Sequence, residues 1–420
     1  MIARLYAGAA TLGAPLLRLL LAWRLRHGKE RADRIDERLG TAGLPRPHGP
    51  LLWLHAASVG ETVSILPLLE ALAGAAPQAT LLLTTGTVTS AELLARRLPQ
   101  GRVLHQFVPL DVPRWAARFL DHWRPDAAVF VESEIWPNLL AACRRRAIPT
   151  LLVNARLSPR SFARWRRAPL LALRLFGGFA WIGAQSEADA ERLRALGAAR
   201  AEAAGNLKFA APPLPVAPDA LAALRPALAG RPTWLAASTH PGEEAVARDV
   251  HLALAERHRG LLTIIIPRHP PRGPAIAAEL GGVTVTRRAL GDGPPAGGGI
   301  WIADTLGELG LFYAAVGIAF VGGSLVPHGG QNVLEPARLG CAIAAGPATG
   351  NFAEPVAVLQ AAGGLVRVDD AAALAAWVDA MLRDPARRRA IGQAAQQAAT
   401  RDADLPRRIA TRLAAMLPAA

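Results

Sequence analysis

Short apolar runs alternate with helical stretches along most of the chain after residue 50, and this pattern restricts the fold more than any other feature. In the first half, the runs that predict strands are Leu51–Ala56, Thr80–Thr84, Ala127–Val131, Thr150–Val153 and Trp181–Ala184. The stretches between them that predict helices include Glu61–Gly74, Thr89–Leu98 and Pro137–Arg146. Strands that are apolar almost throughout are typical of parallel sheets, because helices cover both faces of such sheets. The pattern therefore predicts a doubly wound α/β fold.

The proline-rich stretch Ala211–Pro218 interrupts the alternation, because proline continues neither a helix nor a central strand. The strands predicted beyond it are Thr233–Ala237, Leu261–Ile266, Val283–Thr286, Ile300–Ala303, Gly317–Val321 and Cys341–Ala345. A chain of 420 residues also fits two domains better than one. We predict two Rossmann-like domains, residues 31–210 and 219–420, joined by the linker 211–218, and the last helix could pack back on the first domain. Ligands of such sheets bind outside the carboxyl ends of the strands, which predicts a site in a central cleft between the halves.

An apolar N-terminal segment, Leu5–Trp23, is about long enough to cross a bilayer. Arg18 lies inside it, and a central arginine costs about 2.5–3.5 kcal/mol on membrane insertion scales. Several basic residues follow the segment and few precede it, which favours a cytoplasmic location for the rest of the chain. We expect residues 1–30 to form a membrane anchor that either spans the bilayer or lies in its interface. The alternative is an N-terminal helix packed on the core of the protein.

Composition narrows the classes of partner. The net charge of +14 favours an anionic partner such as a phosphate, a nucleic acid or a membrane surface. The basic residues are scattered along the chain, which argues against a nucleic-acid track. The two cysteines, Cys143 and Cys341, form no metal-ligand pattern and predict no disulfide framework. Only Lys29 and Lys208 are lysines among the 47 basic residues, so lysine marks positions where arginine does not serve.

Three carboxylates follow predicted strands in the first half, and a lysine lies further on in the segment Gly-Asn-Leu-Lys-Phe. Glu61, in Ser-Val-Gly-Glu, begins a helix after the first strand. It is equally consistent with a helix-dipole partner and with a general base. Glu132 and Glu134 follow another strand, where the alternative to a functional role is ion pairing with arginines. Lys208 is the only lysine of the globular region, and an ammonium group suits a phosphate as a point charge.

Glycine-containing turns with polar side chains follow the strands of the second half. Ala-Ser-Thr-His-Pro-Gly-Glu-Glu, from residue 237, predicts a turn whose backbone N–H groups bind an anion. The other polar positions are Arg268 and His269 at a strand end, Glu308 in a glycine turn, Asn332 as a helix cap, and Glu335 within reach of a ribose. Neither Gly-x-Gly-x-x-Gly after a strand nor a Walker lysine is present. These features favour a two-domain, GT-B glycosyltransferase.

Nine segments, in chain order, strongly resemble the 3-deoxy-D-manno-octulosonic acid (Kdo) transferases. The segments are SVGE, ESEIWPN, NARLS, GNLKF, ASTHPGEE, PRHP, DTLGELG, FVGGSL and GGQNVLEPA. The resemblance implies an inverting GT-B enzyme at the cytoplasmic face of the inner membrane, with CMP-Kdo as donor and a lipid A precursor as acceptor. It implies neither a metal nor another cofactor, and no nucleic-acid partner.

The same resemblance assigns roles to residues. Glu61 matches the proton acceptor, and Glu132 and Lys208 match positions that support the transition state. Contacts to CMP carry over to Pro267, Arg268, Leu306, Gly307, Glu308, Asn332, Val333, Leu334 and Glu335, with His269 beside them. The chain departs from the family pattern at Gln331, usually histidine, at Val333, usually proline, and at Ala210, usually aspartate. The first two departures affect the predicted nucleotide-binding turn.

Two other functions fit the sequence. One is a GT-B glycosyltransferase that uses a different nucleotide sugar. The other is a non-catalytic membrane-surface binding protein of the same fold, against which the intact Glu61 and Lys208 argue. The number of Kdo units added and the oligomeric state do not follow from the sequence.

Overall fold

A computed structural model describes residues 2–97 and 103–418 of the chain. The chain folds into two compact units. The first comprises Met1–Ala211 and Asp402–Ala420, and the second comprises Pro212–Arg401. Each unit is built on its own seven-stranded sheet. The last segment of the chain therefore belongs to the first unit.

The sheet of the first unit is parallel throughout, with the strand order β3-β2-β1-β4-β5-β6-β7. Its strands are β1 (Leu51–Ala56), β2 (Thr80–Thr85), β3 (Val103–Phe107), β4 (Ala127–Val131), β5 (Thr150–Ala155), β6 (Trp181–Ala184) and β7 (Ala201–Ala203). Every residue of β1 and β4 is buried, as expected for central strands covered on both faces. The strand order reverses between β1 and β4, which makes their carboxyl ends the switch point where ligands of such sheets bind.

The helices of the first unit lie between its strands and at its N-terminus. They are α1 (Ile2–Leu12), α2 (Ala14–Arg26), α3 (Val59–Ala75), α4 (Val88–Arg97), α5 (Pro113–Trp123), α6 (Pro137–Arg145), α7 (Pro159–Trp165), α8 (Pro169–Phe176) and α9 (Glu187–Ala195). Serine caps begin α3, α7 and α9, because each serine hydroxyl accepts a backbone N–H of the first turn. The predicted end of α4, at Leu98, lies outside the described residues.

The sheet of the second unit is also parallel, with the order β10-β11-β9-β8-β12-β13-β14. Its strands are β8 (Thr233–Thr239), β9 (Leu262–Pro267), β10 (Val285–Arg287), β11 (Gly299–Ile302), β12 (Ile318–Val321), β13 (Ala342–Ala345) and β14 (Leu365–Arg367). The helices of this unit are α10 (Pro218–Leu228), α11 (Glu243–Ala255), α12 (Gly273–Glu279), α13 (Leu309–Val316), α14 (Leu334–Arg338), α15 (Ala353–Ala361), α16 (Ala371–Arg383) and α17 (Pro385–Thr400). Here the switch point lies between β8 and β12.

The last helix, α18 (Leu405–Ala414), packs against α3 of the first unit. Leu405, Ile409 and Leu413 recur along one face of α18 and are buried in the same apolar cluster as Leu68 and Leu72 of α3. Apolar residues at intervals of four place one face of a helix against a core. The C-terminal segment therefore completes one layer of the first unit.

The prediction of doubly wound parallel sheets is confirmed, and all eleven predicted strands are present. The predicted strand Val283–Thr286 is shorter and shifted, as Val285–Arg287. Three strands were not predicted: Val103–Phe107, Ala201–Ala203 and Leu365–Arg367. All three are edge strands of their sheets. Edge strands contact solvent, so polar residues interrupt their apolar sequence.

The predicted anchor is two helices rather than one. The chain bends by 56° between Arg4–Leu12 and Ala14–Arg26. Among the described residues, no single helix has the length and hydropathy of a membrane span, although this bent pair does when taken together. Ala14 packs in a small cluster with Val112 and Trp115, so part of the segment is joined to the first unit. Other apolar side chains of these two helices are exposed, among them Leu12, Leu16 and Leu19.

Candidate active site

The predicted catalytic residues of the first unit all follow strand ends. Glu61 follows β1, Glu132 follows β4, and Lys208 lies in a short 3₁₀ turn after β7. The strands β1 and β4 are neighbours in parallel register, so their carboxyl ends meet at the switch point of the sheet. The fold thus gathers residues that are far apart in sequence.

Glu61 is held at the N-terminus of α3 by the strand end that precedes it. One carboxylate oxygen accepts the N–H of Ala57 at 2.7 Å, and the other accepts the hydroxyl of Ser58 at 2.9 Å. Ser58 in turn caps α3 by accepting the N–H of Glu61. Glu61 therefore has the structural role that the sequence left open, as part of a capping arrangement. That role fixes its carboxylate without removing its capacity to accept a proton.

The pKa of Glu61 is raised. Burial is the largest cause, and the charge of Glu134 raises the pKa further, whereas hydrogen bonds from Ala57 and Ser58 lower it. A carboxylate with a raised pKa is a stronger base than an exposed one. The environment of Glu61 is thus consistent with a general base.

Glu134 and His55 form a pair that sequence reasoning did not identify. His55 is fully buried on β1, and its Nε2 atom lies 3.5 Å from a carboxylate oxygen of Glu134. The indole N–H of Trp136 donates to the same oxygen at 2.6 Å. Burial raises the pKa of Glu134, but the hydrogen bonds and charge of these partners bring it below the ordinary value. The available signal was a histidine inside an otherwise apolar strand.

Glu132 and Lys208 form an ion pair. The Nζ atom of Lys208 lies 3.1 Å from a carboxylate oxygen of Glu132, and the amide of Asn154 donates to the same oxygen at 3.4 Å. Glu132 and Asn154 both have positive φ, 56° and 54°. A non-glycine residue in this region is strained, and such strain concentrates at functional sites. The lysine and the carboxylate are therefore positioned together at this sheet edge.

In the second unit, the carboxylate of Glu243, within the stretch predicted to bind an anion, is itself held by backbone N–H groups. One oxygen of Glu243 accepts the N–H groups of His240 and Gly323 at 2.9 and 2.6 Å. The other accepts those of Ser324 and Leu325, both at 3.0 Å. Glu243 is 1% exposed. Of these four donors, only the N–H of His240 belongs to the stretch predicted to bind an anion, so Glu243 occupies one group of that stretch and the anion site stays a prediction.

Asn332, predicted as a helix cap in the glycine-rich segment after β12, lies one residue before Val333, the N-cap residue of α14. The side-chain oxygen of Asn332 accepts the N–H of Leu334 at 3.1 Å, and its amide donates to Glu335 at 3.1 Å. Val333 and Leu334 are buried, so their side chains support the turn. Burial raises the pKa of Glu335, while the hydrogen bond from Asn332 lowers it. The side-chain amide of Asn332 therefore orients the carboxylate of Glu335, as a ribose-binding residue requires.

Glu308 is already paired inside the protein. Its two oxygens accept hydrogen bonds from Arg288 at 2.7 and 2.6 Å, and Thr305 donates to it as well. The hydrogen bond from Arg288 is the main reason that the pKa of Glu308 is lowered. Leu306 is 84% exposed, and Gly307 has a φ of +84°. Leu306 and Glu308 line an open cavity together with Pro270, Arg288 and Asp304.

Three histidines cluster beside Arg268 at the ends of β8 and β9. The rings of His240 and His328 lie 3.8 Å apart between centroids, and those of His240 and His269 lie 6.1 Å apart. The amide of Gln331 contacts Nε2 of His240 at 2.9 Å. Burial lowers the pKa of His240, and the neighbouring His328, His269 and Arg268 lower it further. Pro267 ends β9, so it lies beside this cluster. Of the three histidines, only His269 was predicted.

Within residues 2–97 and 103–418, no group of three or more histidine, cysteine, aspartate or glutamate side chains has metal-binding geometry. Both cysteines are buried and unpaired with each other.

Solved structures share this fold. The crystal structure of Acinetobacter baumannii MurG matches with a TM-score of 0.52 and 11% identity, over 86% of this chain and 100% of that one. A glycosyltransferase from Rickettsia africae matches with a TM-score of 0.51 and 14% identity, over 88% of this chain and 98% of that one. At such identities the likeness extends to the fold alone. The two doubly wound units therefore have the GT-B fold.

The comparison with sequence relatives shows the family to which the chain belongs. Residues 33–211 match the family model described as 3-deoxy-D-manno-octulosonic-acid transferase. The chain is 37% identical over 395 residues to a probable 3-deoxy-D-manno-octulosonic acid transferase of Arabidopsis thaliana, which covers 91% of this chain and 88% of the relative. It is 36% identical over 399 residues to the 3-deoxy-D-manno-octulosonic acid transferase of Bordetella pertussis, covering 91% and 92% of the two chains. The chain therefore belongs to the Kdo transferase family, and it is a glycosyltransferase that transfers Kdo.

Proposed function

We propose that this enzyme transfers Kdo from CMP-Kdo to a lipid A precursor with inversion at the anomeric carbon. The observation that carries the proposal is the group of Glu61, Glu132 and Lys208 at the carboxyl edge of the first sheet, in a chain that belongs to the Kdo transferase family. This group supplies a base, a carboxylate and a cation, and each has a separate task in glycosyl transfer.

In the proposed mechanism Glu61 accepts the proton from the acceptor hydroxyl as that oxygen attacks the anomeric carbon of Kdo. Its raised pKa favours proton acceptance, and its hydrogen bonds to Ala57 and Ser58 hold the carboxylate in one orientation. The hydroxyl of Ser58 can rotate, so one oxygen of Glu61 is able to exchange this donor for the acceptor hydroxyl.

The bond that breaks joins the anomeric carbon to the phosphate of CMP, and negative charge develops on that phosphate. Lys208 can stabilise this charge, while Glu132 stabilises the positive charge that develops on the sugar. In the free enzyme the two side chains form an ion pair 3.1 Å long, which keeps both charged groups in place before substrate binds. The charge pattern of the site is therefore organised in advance of the reaction.

The second unit supplies the proposed nucleotide site. Glu335, oriented by Asn332, is suited to accept hydrogen bonds from a ribose diol. Arg268 and His269 at the end of β9 are suited to the phosphate. The pairing of Glu308 with Arg288 implies that Glu308 contributes to the CMP site mainly by fixing the loop of Leu306 and Gly307.

The enzyme is proposed to act at the cytoplasmic face of the inner membrane, where α1 and α2 contact the lipid. Leu12, Leu16 and Leu19 are 84%, 70% and 67% exposed, and basic residues follow α2. Exposed leucines beside cationic residues are typical of interfacial helices. Replacing Leu16 and Leu19 by glutamine should release the protein from membranes while its thermal unfolding transition is retained. A variant that stays membrane-bound would contradict this role.

The experiment that tests the function is transfer from CMP-Kdo to lipid A precursor by the purified enzyme, with products counted by mass. We expect products heavier by whole Kdo units. Other CMP-sugars and UDP-sugars are tested in parallel, because Gln331 and Val333 depart from the family pattern in the predicted nucleotide turn. Equal or faster transfer from another nucleotide sugar would overturn the proposed donor.

A further inference from the structure

The first unit contains a second concave site, lined by four arginines from three helices. A cleft of about 200 Å³ lies between α1, α6 and α8. Its basic residues are Arg4 of α1, Arg144 and Arg145 of α6, and Arg174 of α8. The remaining lining residues are uncharged: Ala7, Pro113, Pro137, Asn138, Ala141 and Leu175. The lining of this cleft thus carries one sign of charge only.

The positive charge of the cleft is not balanced by the protein. Within residues 2–97 and 103–418, no carboxylate lies within 4.0 Å of any of these four guanidinium groups. Asp111 contacts Asn138 of the lining, but its oxygens accept the N–H groups of Asn138 and Leu139 and the hydroxyl of Tyr6. Like charges placed together are costly unless an anion joins them. The cleft therefore has the electrostatics of an anion site.

Arg144 is the central residue of the cleft. Its Nη1 atom donates to the carbonyl oxygen of Arg174 at 2.8 Å, which fixes the guanidinium between α6 and α8. Burial lowers the pKa of Arg144, and the nearby charges of Arg174 and Arg145 lower it further. A fixed planar guanidinium with remaining N–H groups suits the oxygens of a phosphate.

The surroundings of the cleft include both apolar and polar groups. A neighbouring cavity of about 420 Å³ shares Arg144 and Leu175 with it and is lined in part by Leu140, Ile148 and Phe179. On the surface of α8, Leu170 and Leu173 are 79% and 55% exposed and precede Arg174 by four residues and by one residue. Basic groups beside exposed leucines match an amphiphile better than a free ion.

We propose that the cleft formed by Arg4, Arg144, Arg145 and Arg174 binds the phosphate headgroup of an anionic membrane lipid. The exposed leucines of α8 contact the acyl region next to that headgroup. This site is separate from Glu61, Glu132 and Lys208, and lipid binding there does not depend on Kdo transfer.

A different explanation of the same arginines is stabilisation of helix ends. Arg144 and Arg145 lie in the last turn of α6, and Arg174 lies in the last turn of α8, where cations interact favourably with the helix dipole. That role predicts lower thermal stability when they are replaced, and no effect on lipid binding. Arg4 lies near the start of α1, where the helix dipole does not stabilise a positive charge. The two explanations therefore differ in what a vesicle measurement shows.

The test is binding of the full-length enzyme to phosphatidylglycerol vesicles, with phosphatidylcholine vesicles as reference. The double variant Arg144→Gln/Arg174→Gln should bind phosphatidylglycerol vesicles on the order of tenfold more weakly than wild type, with phosphatidylcholine binding unchanged. The matched control is Arg257→Gln/Arg259→Gln in the second unit, which makes the same charge change at exposed positions. The control should bind as wild type.

Equal weakening of both double variants would show a general charge effect and overturn the site. Loss of thermal stability with unchanged vesicle binding would assign the arginines to the helix ends instead. If the double variant does not fold, the single variant Arg145→Gln, at an exposed position, is measured in its place. Inorganic phosphate at matched ionic strength should not displace the vesicles. Complete displacement would show that the site binds a free phosphate rather than a lipid.

Discussion

Replacing Glu243 by glutamine tests whether a buried carboxylate holds together the loops beside the proposed nucleotide site. Glu243 is 1% exposed and accepts four backbone N–H groups, two on each oxygen. Glutamine has nearly the same shape, but its NH₂ group must face one of the two pairs of donors. Two hydrogen bonds to a charged acceptor are then lost, and two buried N–H groups have no acceptor.

An unsatisfied buried donor costs about 1–3 kcal/mol, so Glu243→Gln should lower the free energy of unfolding of the second unit by about 2–6 kcal/mol. The assay is urea denaturation, combined with hydrogen exchange of a peptide covering residues 320–326. Exchange there should accelerate, and CMP should bind more weakly because Gly323 and Ser324 precede the turn of Asn332. The control is Glu256→Gln, an exposed position just after α11, which should change stability by no more than about 0.5 kcal/mol. A similarly small change in Glu243→Gln would refute the reasoning.

Two further predictions concern the first unit. Glu134→Gln removes a negative charge that raises the pKa of Glu61, so the pKa of Glu61 should fall. The acidic limb of the profile of kcat/KM against pH should then move to lower pH. The plateau of that profile should fall no more than ~10-fold. Glu134→Asp keeps the charge and should leave the limb near its wild-type position, whereas an unmoved limb in the glutamine variant would exclude this coupling. Lys208→Arg should lower kcat at least ~10-fold, and Lys208→Ala a further ~10-fold, because a planar guanidinium does not replace a point charge at a tight phosphate site. Wild-type kinetics in the arginine variant would show that any cation suffices there.

The architecture could be predicted because the central strands are apolar almost throughout. Strands such as Leu51–Ala56 and Ala127–Val131 are buried on both faces, and their mostly apolar residues indicate that burial. The strand Val103–Phe107 was missed because His105 and Gln106 interrupt its apolar character at the sheet edge. The bend between α1 and α2 has a local signal in Gly13 and Pro15, which hydropathy alone does not register.

Some of the site was also predictable, since Glu61 and Glu132 follow predicted strands and Lys208 is a rare lysine in an arginine-rich chain. The partners of these residues were not predictable, because they come from distant segments. His55 faces Glu134 only because β1 and β4 are neighbours in the sheet. Glu243 fills a turn contributed by residues 323–325, about 80 positions later in the chain, and no local pattern joins the two segments. Tertiary contacts decide which backbone groups remain available to a ligand.

The central claim, that Glu61 is the base of a Kdo transfer, is tested most directly by comparing two glutamine variants of α3. Transfer from CMP-Kdo to lipid A precursor is measured by mass for wild type, for Glu61→Gln and for Glu70→Gln, an exposed position on the same helix. We expect Glu61→Gln to lose ~10²–10⁴ in turnover while CMP affinity is nearly unchanged, and Glu70→Gln to be as active as wild type. Turnover by Glu61→Gln at the wild-type rate would contradict the account.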